Sequence, residues 1–164
     1  MHAYLNTNKL SVRKDKLRRE ILEELISSAD LVLNNGKKSE LSSISTGVFS
    51  DISWYGKGGD YDNFTGTDAQ CFALNGMLSG LGSVEGPPII PTGYQAQIIG
   101  GMAAFSGSLG QVLGVELGNK KNPTLVETSI YEASLCFTEV GAVSFFNTGL
   151  EGRRRGVNRF APTY

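Results

Sequence analysis

Residues 77–104 read MLSGLGSVEGPPIIPTGYQAQIIGGMAA. Its centre is the run Gly86-Pro87-Pro88-Ile89-Ile90. A turn of small residues follows Ile89-Ile90, and a glycine-rich helix start appears at Gly100-Gly101-Met102-Ala103-Ala104. From Gly101 to Leu117 the chain is mostly apolar, with Ala103, Ala104, Ser106, Gly107 and Gly110 set along it. Small side chains at these positions let another helix approach closely. Gly118-Asn119 is a good C-terminal stop.

Working outward, Lys14–Ser28 predicts an amphipathic helix. Leu17, Ile21, Leu22, Leu25 and Ile26 fall on one face, and Glu and Arg fall on the other. Leu31-Val32-Leu33 is a short apolar run suited to a buried parallel strand, and Asn34-Asn35-Gly36 then turns the chain. Ser39–Ser45 is poorly patterned. Val48–Ser53 predicts a strand ending in a glycine turn, Tyr55-Gly56-Lys57-Gly58-Gly59. Thr67–Gly80 predicts a helix with Thr67 as N-cap and Asp68 in its first turn. Thr124–Thr128 predicts a strand. Ser129 then caps a helix to about Phe146, with Glu132 at the capping-box position. The order of helix, strand and turn is that of βαβ units, an α/β fold.

The 164 residues are enough for one domain with a sizeable core. A net charge of -1 gives no global field toward nucleic acid or an anionic membrane. Cys71 and Cys136 lie far apart in apolar helical contexts and read as two buried free thiols. His2 is the only histidine, so neither a zinc site nor a Ser-His-Asp triad is expected, and no metal is anticipated. No run of about 18 apolar residues stands out, so no transmembrane helix is expected, and there is no signal-peptide pattern. The cytoplasm is the default.

Single motifs leave alternatives open. The glycine turn at Gly56–Gly59 would let backbone N–H groups reach a phosphate or carbonyl oxygen, with Lys57 adding a cation, or it is an ordinary loop. Asn35 and Lys37, at a strand's carboxyl end, would hold a phosphate or simply form an Asn-Gly turn. Asp68 is a ligand contact or a helix-terminus charge worth about 0.3–1 kcal/mol. Arg153-Arg154-Arg155 reads first as solvated surface.

Several stretches, in order, resemble family III CoA-transferases (the carnitine dehydratase/bile-acid-inducible protein family). Asn6–Val12 resembles that family's N-x-x-K-x-S-[VI] segment. Ala29–Lys37 is similar to its A-D-V-x-V-E-N-F-R stretch. Ile52-Ser53-Trp54-Tyr55-Gly56 and Gly66-Thr67-Asp68 resemble its I-S-x-[FY]-G and G-x-D elements. The Gly86–Ala104 run and Val126–Ala133 also fit.

The resemblance implies a Rossmann-like parallel sheet with flanking helices. Residues 1–164 would form an incomplete part of the large domain, with the family's first strand and helix before Met1 and its small domain after Tyr164. It implies CoA or acyl-CoA as substrate, a carboxylic acid as acceptor, and an interlocked homodimer at full length. Carried over residue by residue, Asn35, Lys37, Gly56, Lys57 and Asp68 sit where the family contacts CoA, while Gly36 stands in place of an aromatic.

In the family an Asp four residues before the helix-start glycine attacks the donor thioester and forms a mixed anhydride. Here Gln97 holds that place, and an amide does not attack a thioester. The racemase branch pairs that Asp with a His before the G-x-D Asp. Here Thr67 replaces the His, which closes two-base epimerisation as well. Gln97 would still polarise a thioester carbonyl by donating a hydrogen bond. Glu85 and Asp68 are the candidate general bases. A non-catalytic CoA-binding or scaffolding half is the alternative function, and an unrelated βα domain is a third.

Overall fold

The computed structural model describes residues 2–13, 15, 17–35, 47–118 and 124–154. Three parallel strands, β1 (Leu31–Asn34), β2 (Val48–Ser53) and β3 (Thr124–Ser129), form one sheet in the order β1-β2-β3. Leu31 pairs with Val48, and Val48 pairs with Thr124. β2 is central, and its first four residues are buried on both faces. That burial takes in Asp51 as well as Val48 and Phe49.

Helix α1 (His2–Leu5) is a short exposed turn at the N-terminus. Helix α2 spans Arg19–Ser27, several residues shorter than its apolar spacing predicts. Its N-cap is Arg18, which makes no side-chain cap. Asp15, which would cap a longer helix, is held instead by the Arg13 guanidinium at 2.6 and 3.0 Å. Ser39–Ser45 lies outside the described residues.

The helix expected at Thr67–Gly80 is broken in two. Thr67 does cap α3 (Asp68–Leu74), its Oγ1 accepting from Gln70 N at 3.3 Å. The chain then turns at Asn75 and Gly76, and α4 (Met77–Gly80) starts afresh. Gly76 has φ +83°, a conformation that a Cβ would strain. Asn75 fixes the break: its Nδ2 donates to Ser134 O and Oγ at 3.1 Å, and its Oδ1 accepts from Met77 N at 3.0 Å. After α4 the Pro-Pro segment folds back on Gly82 through a small antiparallel bridge, Gly82 with Pro88.

Helix α5 (Gln95–Glu116) begins six residues before the expected Gly101. It is long and apolar enough to cross a membrane, a property that its glycines and serines hide in the sequence. Its small residues pack against the sheet and α6 (Ile130–Ser134), not only against a helix. Ala96, Gly100, Ala104 and Ser108, four apart, form the buried stripe. A Cβ on Gly100 would come within 2.9 Å of Ile130 Cγ1. A Cβ on Gly107 would lie 3.4 Å from Val126 Cγ1, which puts α5 on the Val126 face of the sheet. Its opposite face leaves Ile98, Met102, Phe105 and Leu113 exposed.

Ser129 caps α6 as expected, its Oγ accepting from Glu132 N at 3.2 Å. The single long helix predicted from there is interrupted. A 3-10 turn (Leu135–Thr138) separates α6 from α7 (Glu139–Thr148). Cys136 lies in that turn and is exposed, contrary to its apolar context, whereas Cys71 is fully buried. The core cluster joins Cys71, Phe72, Ala96 and Ile130, with Ile52, Trp54 and Phe137 packed on it.

Candidate functional site

The carboxyl ends of the strands converge on the N-terminus of α5. A cleft of about 520 Å³ opens there, walled by Asn35, Ser53, Trp54, Asn63, Phe64 and Gln97 among others. This is where parallel α/β sheets receive ligands, because strand ends and helix N-termini point their unpaired backbone groups there.

The N-terminus of α5 is closed by a side chain from another helix. Asp68 Oδ1 accepts from Ala96 N at 2.8 Å and from Gln97 N at 3.2 Å. Its Oδ2 accepts from Gln97 Nε2 at 2.6 Å. A carboxylate here satisfies donors that open every helix and meets the positive end of the helix dipole. This explains why α5 starts at Gln95. It also orients Gln97: a carboxylate only accepts, so the amide nitrogen faces Asp68. Gln97 also lines the cleft, and its contact with Asp68 uses only one of its two amide hydrogens.

The cleft thus brings Asn35 and Gln97 together, with Asp68 directly behind Gln97. Gly56 and Lys57 stand elsewhere. Gly56 has φ +81°, and its N–H donates to Ser53 Oγ at 3.0 Å. Gly58 N–H points to Asp62 Oδ2 at 3.4 Å. The ammonium of Lys57 engages Asp51 and also Glu127, the latter at 3.4 Å. Asp51's other oxygen accepts from Asn34 Nδ2 at 2.9 Å. Lys37 and Arg155 lie outside the described residues. Arg153 is exposed, Arg154 is half-buried, and Glu85 is exposed on the loop before α5. No group of His, Cys, Asp or Glu that could hold a metal occurs among the described residues.

Asn34, Asp51 and Glu127 are paired in register, so they form one polar row across the three strands. Sequence reading missed this row. The signal for it was an Asp inside the apolar run Val48-Phe49-Ser50-Asp51-Ile52, which needs a partner if it is buried. Asn63 and Phe64 were missed because they sit in an unpatterned loop. Around the site, burial and the neighbouring Asp68 push the Cys71 thiol up to about 11. It therefore stays a thiol near neutral pH and is a poor nucleophile. The Tyr55 hydroxyl is likewise raised, chiefly by burial.

The sequence matches the family model of CoA-transferase family III over residues 1–163. It is 27% identical over 173 residues to a protein of Fusarium pseudograminearum named acyl-CoA transferase, covering 94% of this chain. Among solved structures, a CAIB/BAIF family protein from Brucella suis superposes with a TM-score of 0.73 at 17% identity, over 83% of this chain. Rv3272 from Mycobacterium tuberculosis, in an orthorhombic form, gives 0.71 at 20% identity, over 87% of this chain. The chain spans 36% of the Fusarium protein, 38% of the Brucella chain and 44% of the Mycobacterium chain.

Proposed function

The chain belongs to CoA-transferase family III, and on that premise we propose that its cleft receives a CoA thioester. Gln97 would face the thioester carbonyl, and the reaction served would be transfer of CoA between carboxylic acids. The supporting observation is the arrangement of Asp68, Gln97 and the start of α5 at the carboxyl edge of the sheet. It ties one amide to Asp68 at the cleft wall, with a second amide hydrogen that would donate to the ligand. A fixed donor aimed at a carbonyl oxygen stabilises the charge that builds there as the thioester is attacked.

Gln97 itself does not supply the covalent step. Asp68 is committed to α5, its oxygens accepting from three donors. On this reading the carboxylate that forms the mixed anhydride comes from another position. If none reaches the cleft, the chain is a CoA-binding or scaffolding half, and Gln97 in the nucleophile's place favours that second reading.

Titration with CoA by calorimetry tests the shared premise, and exchange of a labelled acid into an acyl-CoA separates the two readings. CoA binding with exchange supports the transferase, and binding without exchange supports the scaffold. Absence of any CoA binding overturns both.

A further inference from the structure

We propose that Lys57 is a positioning residue, clipping the turn that carries Trp54 to the polar row of the sheet instead of contacting whatever fills the cleft. The proposal rests on the reading of the cleft as a CoA-thioester site.

The clip spans six positions. Lys57 reaches back to Asp51, and its bond closes a loop over residues 52–56. Asp51's side chain is only 6% exposed, so it requires compensation in place. Asn34 satisfies one oxygen and Lys57 the other. A second carboxylate, Glu127 of β3, adds to the hold on the ammonium. The hydrogen bond to Asp51 keeps Lys57 above the ordinary lysine range, against the opposing pull of burial. With a buried carboxylate bonded to it and a second beside it, the ammonium already has its counter-charges within the fold.

The turn matters because it is the wall of the cleft. Besides the clip, it is held by Gly56 N donating to Ser53 Oγ and by Tyr131 N donating to Trp54 O at 2.8 Å. Trp54's ring lies so close to Gly66 that a Cβ there would come within 2.8 Å of it. Through that contact Trp54 seats the loop that delivers Phe64 to the cleft. Releasing Lys57 loosens the turn, then Trp54, then that loop.

The test compares Lys57→Met, which keeps most of the stem, with Asp51→Asn, the double variant and Lys57→Arg. Trp54 is the sole tryptophan, so its emission reports the wall directly in ligand-free protein. Each single variant should shift that emission, weaken CoA binding about tenfold through lost preorganisation, and lower Tm by about 2–8 °C. The double variant should lose little more than the worse single, because both break one interaction. Lys57→Arg should restore most of the loss.

The proposal is overturned if Lys57→Met weakens CoA binding while Asp51→Asn leaves it unchanged or tightens it. That pattern means Lys57 meets the ligand itself. If the unmodified protein binds no CoA, the CoA reading falls alone. The clip is then decided by Trp54 emission and Tm, and unmoved emission with additive Tm losses overturns it.

Discussion

The substitution Gln97→Asp restores the residue type that the family's chemistry uses, and the structure predicts that ionising the new carboxyl beside Asp68 costs stability. Gln97 Nε2 sits 2.6 Å from Asp68 Oδ2. Asp is one methylene shorter than Gln. The new carboxylate would lie about 4–5 Å from that of Asp68, and at an effective dielectric of about 20 their repulsion is about 3–4 kcal/mol. That is about two and a half pK units. The favourable charge of the new carboxylate at the start of α5 offsets only about 0.3–1 kcal/mol. Asp68's oxygens are engaged by the backbone N–H groups of positions 96 and 97, so the shared proton goes to the introduced side chain. The pKa of that side chain then moves from about 3.9 to about 6.

The sign follows from linkage. The folded variant binds the proton more tightly than the unfolded chain does, so the penalty is absent below about pH 4. It grows as pH rises through about 6 and is complete above that, at about 3 kcal/mol. Thermal unfolding of variant and wild type between about pH 4 and 8 measures this, and the gap in Tm should widen with pH by about 6–12 °C. Any gain in CoA exchange should rise over the same interval, as the introduced carboxyl loses its proton. A gap independent of pH would refute the reasoning, and so would carboxyl NMR showing the introduced group titrating near its ordinary value of about 4.

Other outcomes follow from the same geometry. Asp68→Ala strips three hydrogen bonds from α5 and orphans the N–H of the fully buried Ala96. It should cost about 2–4 kcal/mol by urea denaturation, and a loss under about 0.5 kcal/mol would contradict the capping role. Gly100→Ala gains up to about 1 kcal/mol of helix propensity. Its Cβ would nevertheless press on Ile130 at 2.9 Å, and overpacking of about 1–3 kcal/mol should win; a raised Tm would show that α6 yields. Ser108 Oγ is buried without a hydrogen-bond partner among the described residues. Ser108→Ala should therefore be neutral or stabilising by about 1 kcal/mol, and clear destabilisation would reveal a hidden partner. A thiol reagent should modify Cys136 quickly in native protein and Cys71 only after unfolding; equal rates would contradict the burial of Cys71.

Strands are the most legible elements in this sequence. The run Val48–Ser53 predicts a strand with the observed bounds, because a short apolar run between turn residues leaves few alternatives. Helix ends are less legible. A start set by Asp68, twenty-seven positions before Gln95, has no signal in the local sequence of α5. The break at Asn75 depends on Ser134, and the early end of the 129–146 pattern depends on how the turn at Leu135–Thr138 packs. Such caps are tertiary contacts, and periodicity sees only neighbours three or four apart.

The sequence by itself determined an α/β layer of parallel strands, the capping roles of Thr67 and Ser129, and the family resemblance that the comparison bears out. Each of these rests on local pattern or on motif order. Only the tertiary structure decided what the polar residues do. It turned Asp68 onto α5, set Gln97's amide on the cleft, and drew Lys57 to a polar row made by three strands. The physical reason is that a charge chooses its partner by distance and desolvation. Both are properties of the folded chain, where Asn34, Asp51 and Glu127, far apart in sequence, lie side by side.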